Sequence, residues 1–162
     1  MRQILIDYLS TKDKTDIPYK AVESEIIKMK PLQPNDSNDF FLLLENINSD
    51  NETITITILS HGHDRGITHG TFDSLITWCE LCEKINRLRT NFSLTLNLLA
   101  ICNSFLIIPY KKTLGQNIDK IWVTTNTVNS INKGLLATQH STFNDFIGNL
   151  DNEETNLYKE IL

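Results

Sequence analysis

His61-Gly62 and Cys102 each close an apolar, strand-like stretch. The first reads Ile-Thr-Ile-Leu-Ser-His61-Gly62 and the second Leu-Asn-Leu-Leu-Ala-Ile-Cys102-Asn-Ser. An imidazole and a thiol are the base and nucleophile of a cysteine hydrolase: the ring takes the thiol proton and the sulfur attacks a carbonyl carbon. Ligands of open α/β sheets bind outside the carboxyl ends of the strands. Two such strands lying parallel would bring both side chains to one edge. Gly62 lets backbone approach a ligand closely, and its amide is a candidate oxyanion donor. A free cysteine is also a small hydrophobe at home in a core. Cys102, however, falls where the apolar run gives way to Asn103 and Ser104.

Three other groupings compete. Cys79 and Cys82 lie in Trp-Cys-Glu-Leu-Cys, but a tetrahedral zinc site needs about two further ligands. A redox pair normally opens a helix after a strand, whereas these two fall inside a helical pattern and on its apolar face. They are expected to be core residues. His61-Gly-His63-Asp64 is similar to the His-x-His-x-Asp-His motif of metallo-β-lactamase-type hydrolases, with the acid one place too early and Arg65-Gly66 where Asp and His should stand. A metal-dependent hydrolase using His61 and His63 is therefore an alternative. Ser60 and Ser104 neighbour the candidate pair, but no Gly-x-Ser-x-Gly elbow is present.

The elements that must position these residues follow from periodicity. Arg2 to Leu9 reads as a first strand, and Asp16 and Pro18 as the start of a helix with Val22, Ile26 and Met29 on one face, ended by Pro31 and Pro34. Phe40 to Leu44 predicts a buried strand, and Asn48 to Glu52 a turn. Thr53 to Leu59 is the clearest strand, three isoleucines alternating with threonines. Gly66 and Gly70 bracket a loop or hairpin. Phe72, Leu75, Ile76 and Cys79 predict a helix over 72–88. Leu94 to Ile101 reads as a second central strand, buried on both faces at its apolar end, and Ile121 to Thr125 as another. Ser141 is the expected cap of a helix burying Phe143, Phe146, Ile147 and Leu150. The segment 149–156 reads as loose. Alternating strands and helices give an α/β domain with a largely parallel sheet, one domain over 1–162.

Bulk composition excludes several classes. A net charge of −5 with scattered basic residues argues against nucleic acid, which needs clustered Lys and Arg. No apolar run approaches the roughly 20 residues of a bilayer span, and the early acid at Asp7 argues against a signal peptide. Three cysteines are too few, and odd in number, for a disulfide framework. A cytoplasmic, reducing setting is expected.

Strand-Ser-His61-Gly62, a short loop with Gly66-Ile67, a helix, then strand-Ala100-Ile-Cys102-Asn-Ser104 resembles the caspase-like cysteine peptidases: caspases, metacaspases and bacterial CHAT-type peptidases. In that family His-Gly follows one central strand and the catalytic Cys the next, and the separation of about forty residues here fits. The resemblance covers about residues 53 to 105. It implies a caspase-like three-layer domain, a central mostly parallel sheet flanked by helices. It also implies a Cys102–His61 dyad with Gly62 in the oxyanion hole, and no cofactor or metal. The implied partners are a protein or peptide substrate and an activating or regulatory protein, as in a regulated bacterial effector. The caspase Gln-Ala-Cys-Arg-Gly sequence is absent, and Ala100 stands where metacaspase-like members commonly carry an acid. Asp7 is either the receptor of a basic P1 side chain or a loop acid. A catalytically silent interaction module of the same fold is the alternative from a different class.

Overall fold

The sheet forms because three segments of β-branched and leucine residues are buried on both faces, and a parallel arrangement of such strands needs helices to cover them. In the computed structural model, which describes residues 2–16, 18–47, 53–70, 74–88, 93–125 and 131–162, the first strand β1 (Arg2–Asp7) leads into α1 (Thr11–Asp16), a 3-10 turn at Pro18–Ala21, α2 (Glu23–Met29) and α3 (Ser37–Glu45). There follow β2 (Ile54–Leu59), a small hairpin of β3 (His61–His63) and β4 (Gly66–Thr68), then β5 (Ile76–Thr77) and α4 (Trp78–Asn86). The remainder is β6 (Leu94–Asn97), a 3-10 turn at Ser104–Ile107, α5 (Ile108–Leu114), β7 (Lys120–Thr124), α6 (Ile131–Ala137), α7 (Phe143–Ile147), α8 (Asn152–Thr155) and β8 (Tyr158–Ile161).

The main sheet has five strands in the order β1-β2-β6-β7-β8. The first four are parallel and β8 runs antiparallel to β7. A second sheet of β3, β4 and β5 is antiparallel. The protein is thus α/β, with helices on both faces of a mostly parallel sheet. On one face Ile4, Ile6, Ile54, Ile56, Ile58, Leu94, Leu96, Ile121 and Val123 pack with Phe40 and Leu44 of α3 and Leu81, Cys82 and Ile85 of α4. On the other, Leu5, Leu9 and Leu59 meet Tyr19, Ile26 and the α6 residues Ile131 and Leu135, and Trp122 meets Ala137, Phe146 and Tyr158. Each fully buried aliphatic side chain contributes about 1.5–3 kcal/mol relative to exposure. Among the described residues no helix is long and apolar enough to cross a membrane.

Several expected elements change. Phe40 to Leu44 is helix, not strand. Asp36 caps α3 by accepting from the Asp39 amide at 2.8 Å, and Phe40 and Leu44, one helical turn apart, are buried while Leu42 is 56% exposed, which is helical and not strand spacing. The strand expected over Thr53 to Leu59 is β2, and all six of its residues are buried, threonines included. The helix expected from Asp16 is broken into a 3-10 turn and α2, although Ile26 is buried with Val22 and Met29 packed beside it. The helix expected over 72–88 begins at Trp78, capped by Thr77 in a capping box with Glu80; Phe72 and the turn at 48–52 lie outside the described residues. Thr142, not Ser141, caps α7, and residues 152–155 of the supposedly loose segment form α8.

The helical reading of 37–45 has a direct check. Leu44→Ala should cost about 2–5 kcal/mol and Leu42→Ala less than about 0.5 kcal/mol, measured by urea unfolding. Equal costs would show a strand-like or loose segment instead.

Candidate functional site

The strand that leads to Cys102 ends earlier than its apolar sequence implies. β6 stops at Asn97, and the chain turns through 98–103 before the 3-10 turn at Ser104–Ile107. Buried polar side chains explain the break. Asn97 accepts from the Leu99 amide at 3.1 Å and donates at 3.1 Å to both the Thr57 hydroxyl and the Gly134 carbonyl. The Ser104 hydroxyl donates to the Leu98 carbonyl at 3.1 Å and accepts from the Thr124 amide at 2.8 Å. The Thr124 hydroxyl donates to the Ile101 carbonyl at 2.7 Å. Asn97, Ser104 and Thr124 are all fully buried, where an unmade hydrogen bond is costly, so the turn is pinned from three sides. Asn103 adopts a left-handed conformation, φ 56°, which Asn tolerates better than most side chains. Cys102 is left half-buried at the bend. Ser104 is consumed by this framework.

His61 lies on the small hairpin. The pair His63↔Gly66 closes a two-residue loop, and Gly62↔Ile67 is the next pair along the hairpin. The Gly62 backbone meets Cys102: a Cβ placed on Gly62 would fall 1.9 Å from the Cys102 carbonyl oxygen and 3.0 Å from its nitrogen. Only glycine permits this approach. The structure thus brings Gly62 and Cys102 together at the carboxyl ends of the neighbouring parallel strands β2 and β6, with His61 next in sequence to Gly62.

Asp13, which sequence reasoning missed, joins them. Its Oδ1 is 2.8 Å from His61 Nε2, and its side chain is only 6% exposed against 43% for that of His61. Ser10 fixes the carboxylate reciprocally: the Ser10 amide donates to Asp13 Oδ2 at 3.0 Å and the Asp13 amide donates to the Ser10 hydroxyl at 3.1 Å. Burial opposes the charge on Asp13, but the Ser10 hydrogen bonds and His61 outweigh it and hold the carboxyl below its usual range. The sequence signal was faint, a Ser-x-x-Asp pair spanning the start of a polar six-residue helix.

Asp7 resolves to an internal acid. It is buried, with Lys14 Nζ at 3.0 Å, the Tyr19 hydroxyl donating at 3.0 Å and the Leu9 amide at 3.2 Å. Burial and the Asp7 carboxylate push the Tyr19 phenol up. Ala100, where an acid stands in metacaspase-like members, is buried with α6 across it; a Cβ on Gly134 would fall 2.6 Å from the Ala100 Cβ, which leaves no room for a longer side chain. His63 Nδ1 accepts from the Arg65 amide at 3.2 Å, and among the described residues no three His, Cys, Asp or Glu side chains are grouped to hold a metal ion. All three cysteines are free thiols. Cys82 is fully buried and burial pushes its thiol up to about 11. Cys79, expected in the core as well, is only half-buried, because it lies at the first turn of α4 beside the helix's exposed flank.

A comparison with protein-family models finds no match for this chain, and one with curated proteins finds no significant relative.

Two outcomes follow from this geometry. Under mild iodoacetamide treatment of the native protein, Cys102 should be labelled first and Cys82 last, read by mass spectrometry of partially labelled peptides, since thiolate and access both govern the rate. Faster labelling of Cys79 would mean that Cys102 is the more occluded thiol. Gly62→Ala should destabilise by about 1–3 kcal/mol, the cost of forcing extra volume into packed backbone; an unchanged melting temperature would show that the β3 and Cys102 backbones are not in contact.

Proposed function

We propose that the chain is a caspase-like cysteine endopeptidase that cleaves peptide bonds with Cys102 as nucleophile and His61 as base. The observation that carries this reading is the Gly62–Cys102 backbone contact, which holds the His-bearing and Cys-bearing segments together at one edge of a parallel sheet. Further support is the Asp13–His61 hydrogen bond, an arrangement in which a base is itself oriented by a third group.

In the reaction His61 takes the Cys102 thiol proton and the sulfur attacks the substrate carbonyl carbon. The amides of Gly62 and Cys102 stabilise the resulting oxyanion. The intermediate collapses, the C–N bond breaks, and the proton on His61 goes to the departing amine. A water then gives a proton to His61 and its oxygen displaces the sulfur from the thioester, freeing the acid and restoring the thiol. No metal or cofactor takes part. The substrate class is a protein or peptide segment, and turnover waits on a regulatory protein partner in a reducing, cytoplasmic setting where Cys102 stays a thiol.

The test is cleavage of a peptide library, with and without candidate activating proteins, beside thermal melts. Cys102→Ala and His61→Ala should abolish cleavage, and Cys102→Ala should shift stability by less than about 1 kcal/mol because the thiol is half-exposed. His63→Ala should retain activity. Equal loss from the His61 and His63 variants would support the metal-dependent alternative, and a wild-type protein that cleaves nothing under any condition would support a silent interaction module.

A further inference from the structure

We propose that Asp13 is the positioning residue of this site: it fixes the His61 tautomer so that Nδ1 is the ring nitrogen that takes the Cys102 proton, making the pair a Cys–His–Asp triad. The inference rests on the Cys102–His61 reading above and adds the element that orients the base.

A carboxylate accepts and does not donate, and the Asp13 carboxyl is held below its usual range. The nitrogen facing it at 2.8 Å, His61 Nε2, must therefore carry the ring proton. In a neutral imidazole that leaves Nδ1 as the acceptor. Once Nδ1 has taken the thiol proton the ring is a cation beside the Asp13 carboxylate. The carboxylate stabilises it and is not itself protonated, and the Nδ1 proton then passes to the leaving amine.

The carboxylate is built for the task. Ser10 holds both its oxygen Oδ2 and its backbone amide. Of the two lysines that flank Asp13 on α1, Lys14 is drawn away to Asp7 at 3.0 Å and Lys12 is exposed to solvent, and Oδ1 is given to His61. A helix cap alone would need only the Ser10 bonds, and Asp13 spends its second oxygen on an imidazole 48 residues away in sequence.

Asp13→Asn makes the claim specific. The Ser10 amide needs an acceptor, so the Asn oxygen faces Ser10 and its NH2 faces His61. The ring must then accept at Nε2 and carry its proton on Nδ1, the wrong nitrogen for a base.

The experiment reads the His61 tautomer from ring nitrogen chemical shifts by NMR, and the rate of Cys102 alkylation by iodoacetamide, in wild type, Asp13→Asn and His61→Ala. Expected is an Nε2–H ring in wild type and an Nδ1–H ring in Asp13→Asn. Alkylation should slow by about 10²-fold in both variants, the low end of what a positioned base contributes. An Nδ1–H ring in wild type overturns the proposal whether or not the variants fold. Slower alkylation in His61→Ala with no change in Asp13→Asn overturns the role of Asp13 and leaves the Cys–His pair standing. No change in either variant overturns the pair and the triad together.

Discussion

Between Gly62 and the Cys102 carbonyl there is room for a hydrogen atom and nothing larger. That contact joins the hairpin that follows β2 to the turn that follows β6. Everything around it serves to hold the two backbones at that separation. The antiparallel pairing of β3 with β4 sets the height of Gly62. The buried hydroxyls of Ser104 and Thr124 and the amide of Asn97 set the path of the chain through 98–103. The parallel register of Ile54–Thr57 with Leu94–Asn97 fixes the origin of both segments. Methylene-scale errors in any of these would be felt at the site, because packed interiors transmit strain and do not absorb it.

The buried charges near the site divide their labour. Asp7 and Asp13 stand at the two ends of the link from β1 into α1, and each has its own cationic or ionisable partner: Lys14 for Asp7 and His61 for Asp13. Removing Lys14 would leave an uncompensated carboxylate in the interior, a cost well above what the pair itself contributes. The Asp7 cluster therefore anchors α1, and α1 delivers Asp13. The placing of Asp13 against His61 and the stability of a six-residue helix are in this way one problem.

The central strands, and the places of His61 and Cys102 beyond their carboxyl ends, were legible in the sequence because period-two alternation in Ile54–Leu59 and the apolar run from Leu94 are local signals. What was not legible is non-local. Phe40–Leu44 reads as strand when only apolarity is counted; the Asp36 cap and the i, i+4 burial of Phe40 and Leu44 decide for helix. The early end of β6 depends on Asn97 finding Thr57 and Gly134, far away in sequence. The edge strand Tyr158–Ile161 escaped because only Tyr158 is buried, so it carries little alternation. Asp13 escaped because its partner lies on another element, and a polar helix offers no pattern that points to an imidazole.

The proposed activity requires Cys102 to act as a nucleophile toward an activated acyl or alkyl centre presented by a peptide. The most direct measurement is the intact mass of the native protein after exposure to a panel of peptidyl acyloxymethyl ketones, with the modified residue located by peptide sequencing. The account predicts a single adduct on Cys102 that depends on the peptide portion and does not form on the denatured chain. An adduct on Cys79, or equal labelling of native and denatured protein, would contradict it.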